Sequence, residues 1–101
     1  LENTVFLELR RRTDQVFYLS EGGRECDFVI DPSREGAECI QVCYELTTDN
    51  EEREISGLRT AMDFFSVNSG VILTAGQEDE LTVDGKTILV RPVWRHFPVP
   101  R

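Results

Sequence analysis

Of the 11 basic side chains in this chain all but Lys86 are arginine, and His96 is the only histidine. No Gly-x-x-x-x-Gly-Lys-Ser/Thr phosphate loop occurs, and nothing in these residues reads as a nucleotide-binding site. Cysteine is equally sparse: Cys26, Cys39 and Cys43 are odd in number and none belongs to a Cys-x-x-Cys pair. That pattern indicates neither a disulfide framework nor a zinc knuckle, so reduced, half-buried core thiols and a cytoplasmic setting are expected. No apolar run approaches the roughly 20 residues that cross a bilayer, which argues against a membrane partner. Internal repeats and low-complexity stretches are missing too. The chain opens on Leu1-Glu2-Asn3, already inside a helical pattern and without a signal-peptide pattern or methionine, so it is expected to be a piece of a longer protein.

What is present suits one modest core. A length of 101 residues matches one domain, read as residues 1–97 with a loose tail at 98–101. The net charge of -8 repels a phosphate backbone overall, so nucleic acid is a disfavoured partner and a local basic patch would have to carry any such contact.

Residues 1 to 12 set Leu1, Val5 and Leu9 on one stripe beside Phe6, with Glu2, Glu8 and Arg10-Arg11-Arg12 elsewhere, which predicts a short amphipathic helix. Gln15 to Glu21 and Glu25 to Ile30 read as strands joined at Gly22-Gly23, where positive φ favours a tight hairpin. Alternation puts Cys26, Phe28 and Ile30 on one face and Glu25, Asp27 and Val29 on the other, and Asp31-Pro32-Ser33 stops the strand. Glu38 to Leu46 repeats the pattern, with Ile40, Val42, Tyr44 and Leu46 opposed to Cys39, Gln41, Cys43 and Glu45. Aligning the apolar faces in an antiparallel pair sets Asp27 opposite Gln41, Phe28 opposite Ile40 and Cys26 opposite Val42.

Thr48 and Glu51 have the spacing of a capping box, and Ile55, Leu58, Met62 and Phe65 follow as a helical stripe expected to cover the sheet's apolar face. Gly57 weakens this helix without ending it, and Asn68-Ser69-Gly70 ends it. Gly70 to Thr74 is a continuous apolar run, the mark of a central strand buried on both faces. Asp84-Gly85 suits a type I′ hairpin between Leu81–Val83 and Thr87–Val90, with Lys86 expected as a solvated turn residue. The segment from Pro92 to Phe97, with Val93 and Trp94, reads as an apolar docking segment.

The order α-β-β-β-α-β followed by a β-hairpin, with Glu2 in the first helix, Asp27 on the second strand and the i, i+2 pair of Gln41-Val42-Cys43 on the third, resembles the PD-(D/E)XK fold. The fold class this resemblance implies is α/β (α+β), a restriction-endonuclease-like core with a mixed central sheet flanked by helices. A C-terminal domain of unknown function on archaeal and bacterial AAA+-type ATPases is a closer likeness. It is similar in Glu2-Asn3, Tyr18, Gly23-Arg24-Glu25-Cys26-Asp27-Phe28, Gln41-Val42-Cys43-Tyr44 and the Pro92-x-Trp94 pair, over nearly the whole chain.

The resemblance implies Asp27, Gln41 and Cys43 at degenerate catalytic positions, and Glu2, Asp27 and Gln41, with Glu25 as a further acid, as ligands for Mg²⁺ or Mn²⁺. The lysine such chemistry needs is replaced by Cys43, whose thiol is neutral at pH 7 with an ordinary pKa of about 8.5 and has the wrong sign if ionised. Arg10, Arg11, Arg12 and Arg24 are the candidate nucleic-acid contacts, though no guanidinium replaces every role of a lysine. Plainer readings stand beside these. Asp27 can be a polar residue hydrogen-bonded to Gln41 across the strand pair, and Arg10 to Arg12 can complement the helix dipole. The run Glu51 to Glu54 can be a solvated face, and Cys43 would need His96 brought to it by folding to act as a nucleophile.

The expected function is a non-catalytic interaction or regulatory domain of a larger AAA+-type ATPase, not an enzyme by itself, with ATP confined to the parent chain and the upstream ATPase domain as its partner. The alternatives are a Mg²⁺- or Mn²⁺-dependent nuclease with a remodelled site, and a homodimerisation module using an exposed strand or Trp94.

Overall fold

Helix α1 (Glu2–Arg12) forms where the first apolar stripe predicts it and buries Val5 and Leu9. The computed structural model describes residues 1–31 and 36–97, so the stop at Pro32-Ser33 and the tail at 98–101 lie outside the described residues. After α1 come β1 (Val16–Glu21), β2 (Arg24–Ile30), β3 (Glu38–Val42), α2 (Glu51–Phe64), β4 (Ser69–Thr74), β5 (Asp79–Val83), β6 (Lys86–Pro92) and the single-turn α3 (Val93–His96).

The strands form one mixed six-stranded sheet in the order β1-β2-β3-β4-β6-β5. β3, β4 and β6 run parallel to their neighbours in the centre, and the antiparallel hairpins β1-β2 and β5-β6 lie outside them. The central place expected of the run ending at Thr74 is thus where β4 sits. Both hairpins turn on positive φ, at Gly22 and Gly23 (58° and 80°) and at Asp84 and Gly85 (50° and 77°).

Helices cover both faces of this α+β sheet. On one, Val5 and Leu9 of α1 pack on Phe28, Ile30, Ile40, Val42 and Leu73, joined by Val93 and Phe97. On the other, Leu58, Ala61 and Met62 of α2 pack on Cys26, Val29, Cys39, Ile72, Ile88 and Val90. The α2 stripe therefore covers the face that alternation marks as polar, and α1 covers the Ile40 and Val42 face. Buried thiols act as small apolar groups, which makes Cys26 and Cys39 fit beneath a helix.

Strand β2 also departs from simple alternation. β1 pairs Phe17 with Val29 but Leu19 with Cys26, two steps against three, so β2 carries a bulge around Asp27 and Phe28. The extra residue moves Cys26 to the face of Val29 and α2, while Phe28 and Ile30 stay with α1. Phe28 does pair with Ile40 as the register predicts, but Cys26 and Val42 end on opposite faces.

Other local expectations change. β3 ends at Val42, leaving Tyr44 74% exposed and Leu46 against the α2-side core. No side-chain cap forms at α2: its N-cap is Asn50, whose Oδ1 accepts the Thr47 N–H at 2.8 Å, so the Thr48–Glu51 capping box is not made. Lys86 is the first residue of β6 and pairs with Asp63 of α2. Among the described residues no helix is long and apolar enough to cross a membrane.

Candidate functional site

The β2-β3 ladder runs from Ile30↔Glu38 to Phe28↔Ile40 and stops there, leaving backbone polar groups beyond it in need of partners. Side chains supply them. Gln41 Oε1 accepts the Asp27 backbone N–H at 2.7 Å, and Gln41 Nε2 donates to the Glu25 and Glu54 carbonyls at 2.8 and 3.1 Å. In return Asp27 Oδ2 accepts the Val42 backbone N–H at 2.8 Å. The bond between these two residues thus runs from the Asp27 backbone to the Gln41 amide, and the Asp27 carboxylate serves the opposite strand.

Gln41 is only 2% exposed, so its amide is buried with each end satisfied. The close approach that permits this is set by Gly57. A Cβ there would lie 1.9 Å from the Glu25 carbonyl oxygen and 2.6 Å from Gln41 Nε2, so only glycine lets α2 press on β2 at Glu25.

A cleft of about 170 Å³ opens beside this junction, with Arg24, Glu25, Asp27, Gln41, Arg53 and Glu54 in its wall. Desolvation raises the Asp27 pKa; the Val42 N–H partly offsets it, and the charges of Glu2 and Glu25 add to it. Glu54 is raised for the same reason and further by Asp27, against the lowering effect of Arg53. Burial, then Glu54 and Asp27, push the Cys43 thiol up to about 11, so it is neutral at pH 7. The buried thiols of Cys26 and Cys39 are pushed up to about 12 and about 11.

Asp27 and Gln41 are therefore brought together, while Cys43 lies outside the cleft wall but within reach of the Asp27 charge, and Glu2, an exposed residue at the start of α1, acts on Asp27 through its charge. Arg24 stands in the cleft wall. Arg10, Arg11 and Arg12 are engaged at the far end of α1, with Asp14 (3.8 Å) and Glu8 (3.2 and 3.4 Å). Among the described residues no three of His, Cys, Asp and Glu converge to hold a metal ion, and the Gln41 carbonyl is directed at the Asp27 N–H.

Arg53 and Glu54, which read in the sequence as part of a solvated face, stand in the cleft wall, and Gly57, which read only as a weak point of the helix, sets its approach to the sheet. A signal existed: Glu54 lies three residues before Gly57 and four before Leu58, on the helical face that meets the sheet, and a glycine inside a helix marks a place of close approach.

Fold and site together define a mixed α+β domain in which a buried glutamine and an aspartate close the gap between two strands beneath a helix. No family model and no solved structure matches the chain. A relative is the uncharacterized protein MJ1544 of Methanocaldococcus jannaschii, 40% identical over an alignment 105 residues long that takes in 94% of this chain. This chain spans 23% of the length of that protein.

Proposed function

We propose that this domain is a non-catalytic interaction or regulatory module of a longer ATPase chain, built on a restriction-endonuclease-like scaffold whose metal position has become a strand clasp. The observation that carries the reading is the three hydrogen bonds that consume the Gln41 amide. A carbonyl that accepts a backbone N–H inside a 2%-exposed side chain is a structural group, and the Asp27 carboxylate is likewise aimed at a backbone N–H. The neutral Cys43 thiol adds nothing that would balance charge on a phosphate. A parent chain accords with the 23% coverage of the relative, and the ATPase part rests on the resemblance through Glu2-Asn3, Gly23 to Phe28 and Gln41 to Tyr44. Interaction is favoured by large exposed aromatics, Tyr44 at 74% and Trp94 at 66%, which follow the C-terminal ends of the parallel strands β3 and β6.

One observation favours the nuclease alternative: Glu54 adds a partly buried carboxylate beside Asp27 and has Arg53 next to it. A cleavage panel of single- and double-stranded DNA and RNA with Mg²⁺ and Mn²⁺ separates the two. Our reading expects no cleavage and no metal-dependent thermal shift, whereas metal-dependent cleavage abolished by Asp27→Asn would establish the nuclease. In the longer chain, Trp94→Ala is expected to weaken assembly or alter the ATPase rate while nucleotide binding is kept. Wild-type behaviour in both would overturn the interaction role.

A further inference from the structure

Cations gather at a second place, where α1, β6 and α3 meet. The Phe97 ring, packed on the α1-side core, has the Arg12 guanidinium 5.0 Å from its centroid and the His96 ring edge-on with centroids 4.8 Å apart. Arg91 pairs with Leu73 in the parallel β4-β6 ladder, and Leu73 belongs to the α1-side core, so Arg91 stands on that same face. Arg91 and Arg12 both act on His96: burial first, and then their two charges, lower its pKa.

This convergence is poorly balanced. Arg12 shares Glu8 with Arg11, and among the described residues Arg91 has no carboxylate partner. Helix dipole compensation accounts for Arg10 to Arg12 but not for Arg91, which comes from a strand. His96 Nδ1 is buried and lacks a hydrogen-bond partner among the described residues, as happens at sites that a water or ion completes. Guanidinium groups from two elements offer planar donor pairs matched to the oxygens of a tetrahedral oxyanion.

We propose that Arg12, Arg91 and His96 form a binding site for a phosphate oxyanion. The site stands apart from the Asp27–Gln41 junction and is independent of the function argued above. In a chain of net charge -8 it supplies the local basic patch that any phosphate contact requires.

The sole histidine makes the test direct, because its imidazole proton resonances report on one residue. Inorganic phosphate titrated into the 101-residue chain, with chloride balancing ionic strength, is expected to move them saturably. Arg12→Gln and Arg91→Gln should each weaken that binding by at least about tenfold. Arg59→Gln, which alters a side chain of α2 paired with Asp84, should leave it unchanged. If Arg91→Gln disturbs β6, Arg12→Gln at the surface of α1 carries the same test. A short single-stranded oligonucleotide serves as the second probe. Saturation at lower concentration than phosphate assigns the site to a nucleic-acid backbone, and equal or weaker saturation assigns it to a small phosphate ligand; both support the site. No saturable shift with either probe, a shift that chloride reproduces, or phosphate binding unaffected by both arginine variants overturns it.

Discussion

Asp27 and Gln41 close the same gap from opposite sides: the Gln41 amide oxygen takes the Asp27 N–H at 2.7 Å, and the Asp27 carboxylate takes the N–H of the residue after Gln41 at 2.8 Å. Each strand thus satisfies the backbone of the other where the ladder has ended. A polar pair used this way contributes through the cost of losing it, since an unpaired buried group costs more than a made hydrogen bond contributes.

Gln41→Glu is the sharpest probe of that arrangement. The change removes the donations to the Glu25 and Glu54 carbonyls and buries a new carboxylate beside Asp27. A loss of about 3 kcal/mol or more is expected in urea unfolding at pH 7. An unchanged midpoint would show that the amide is dispensable.

Gly57→Ala should destabilise even though alanine is the better helix former by about 1 kcal/mol. A methyl group 1.9 Å from the Glu25 carbonyl oxygen must push α2 off β2 at that residue, and a net cost of about 2 kcal/mol is expected in the same assay. A stabilising effect would mean that the helix does not approach the strand this closely.

Asp27→Asn keeps an oxygen for the Val42 N–H while removing the charge. The folded-state pKa of Asp27 is raised, chiefly by desolvation. Its contribution is therefore fully present below the unfolded value of about 3.9 and is lost as pH rises through the folded value. The variant should accordingly be more stable than wild type at pH 7, with the difference shrinking on acidification. His96, whose pKa is lowered, works in the opposite direction, destabilising the fold as pH falls through its unfolded value of about 6.5. It is common to both chains and cancels in the comparison. A difference that grows in acid would reverse the assignment.

The thiols provide a chemical check. With Cys43 pushed up to about 11, the native chain should react with an aromatic disulfide reagent at pH 8 roughly tenfold more slowly than the unfolded chain, the scarcer thiolate being partly offset by its greater nucleophilicity. Fast labelling of a single native thiol would instead mark Cys43 as an activated nucleophile.

Much of the secondary structure is legible because apolar periodicity is a local property. The stripe of Val5 and Leu9, the stripe of Leu58 and Met62, the run from Gly70 to Thr74 and the Asp84-Gly85 turn all lie where the elements form. The bulge in β2 is not legible, since one extra residue leaves the alternation of letters intact while shifting the parity of Cys26 against Phe28. Counting Cys39 and Gln41 as polar likewise hid the face beneath α2. The thiol packs as an apolar group, and the amide is buried because its partners are backbone groups that no residue pattern records. Asp27 and Gln41 could be placed near one another from register; Glu54 and Gly57 needed the helix to be set down.

The Glu54 carbonyl that receives Gln41 belongs to α2, while the other receiver, Glu25, belongs to β2. One side chain therefore ties the seating of a helix to the joining of two strands, and neither can come undone alone without stranding a buried donor. The amide protons of Asp27 and Val42 should then exchange with solvent in a single concerted opening with the lift-off of α2, making the sole interior glutamine of β3 the latch by which two layers of the molecule open and close together.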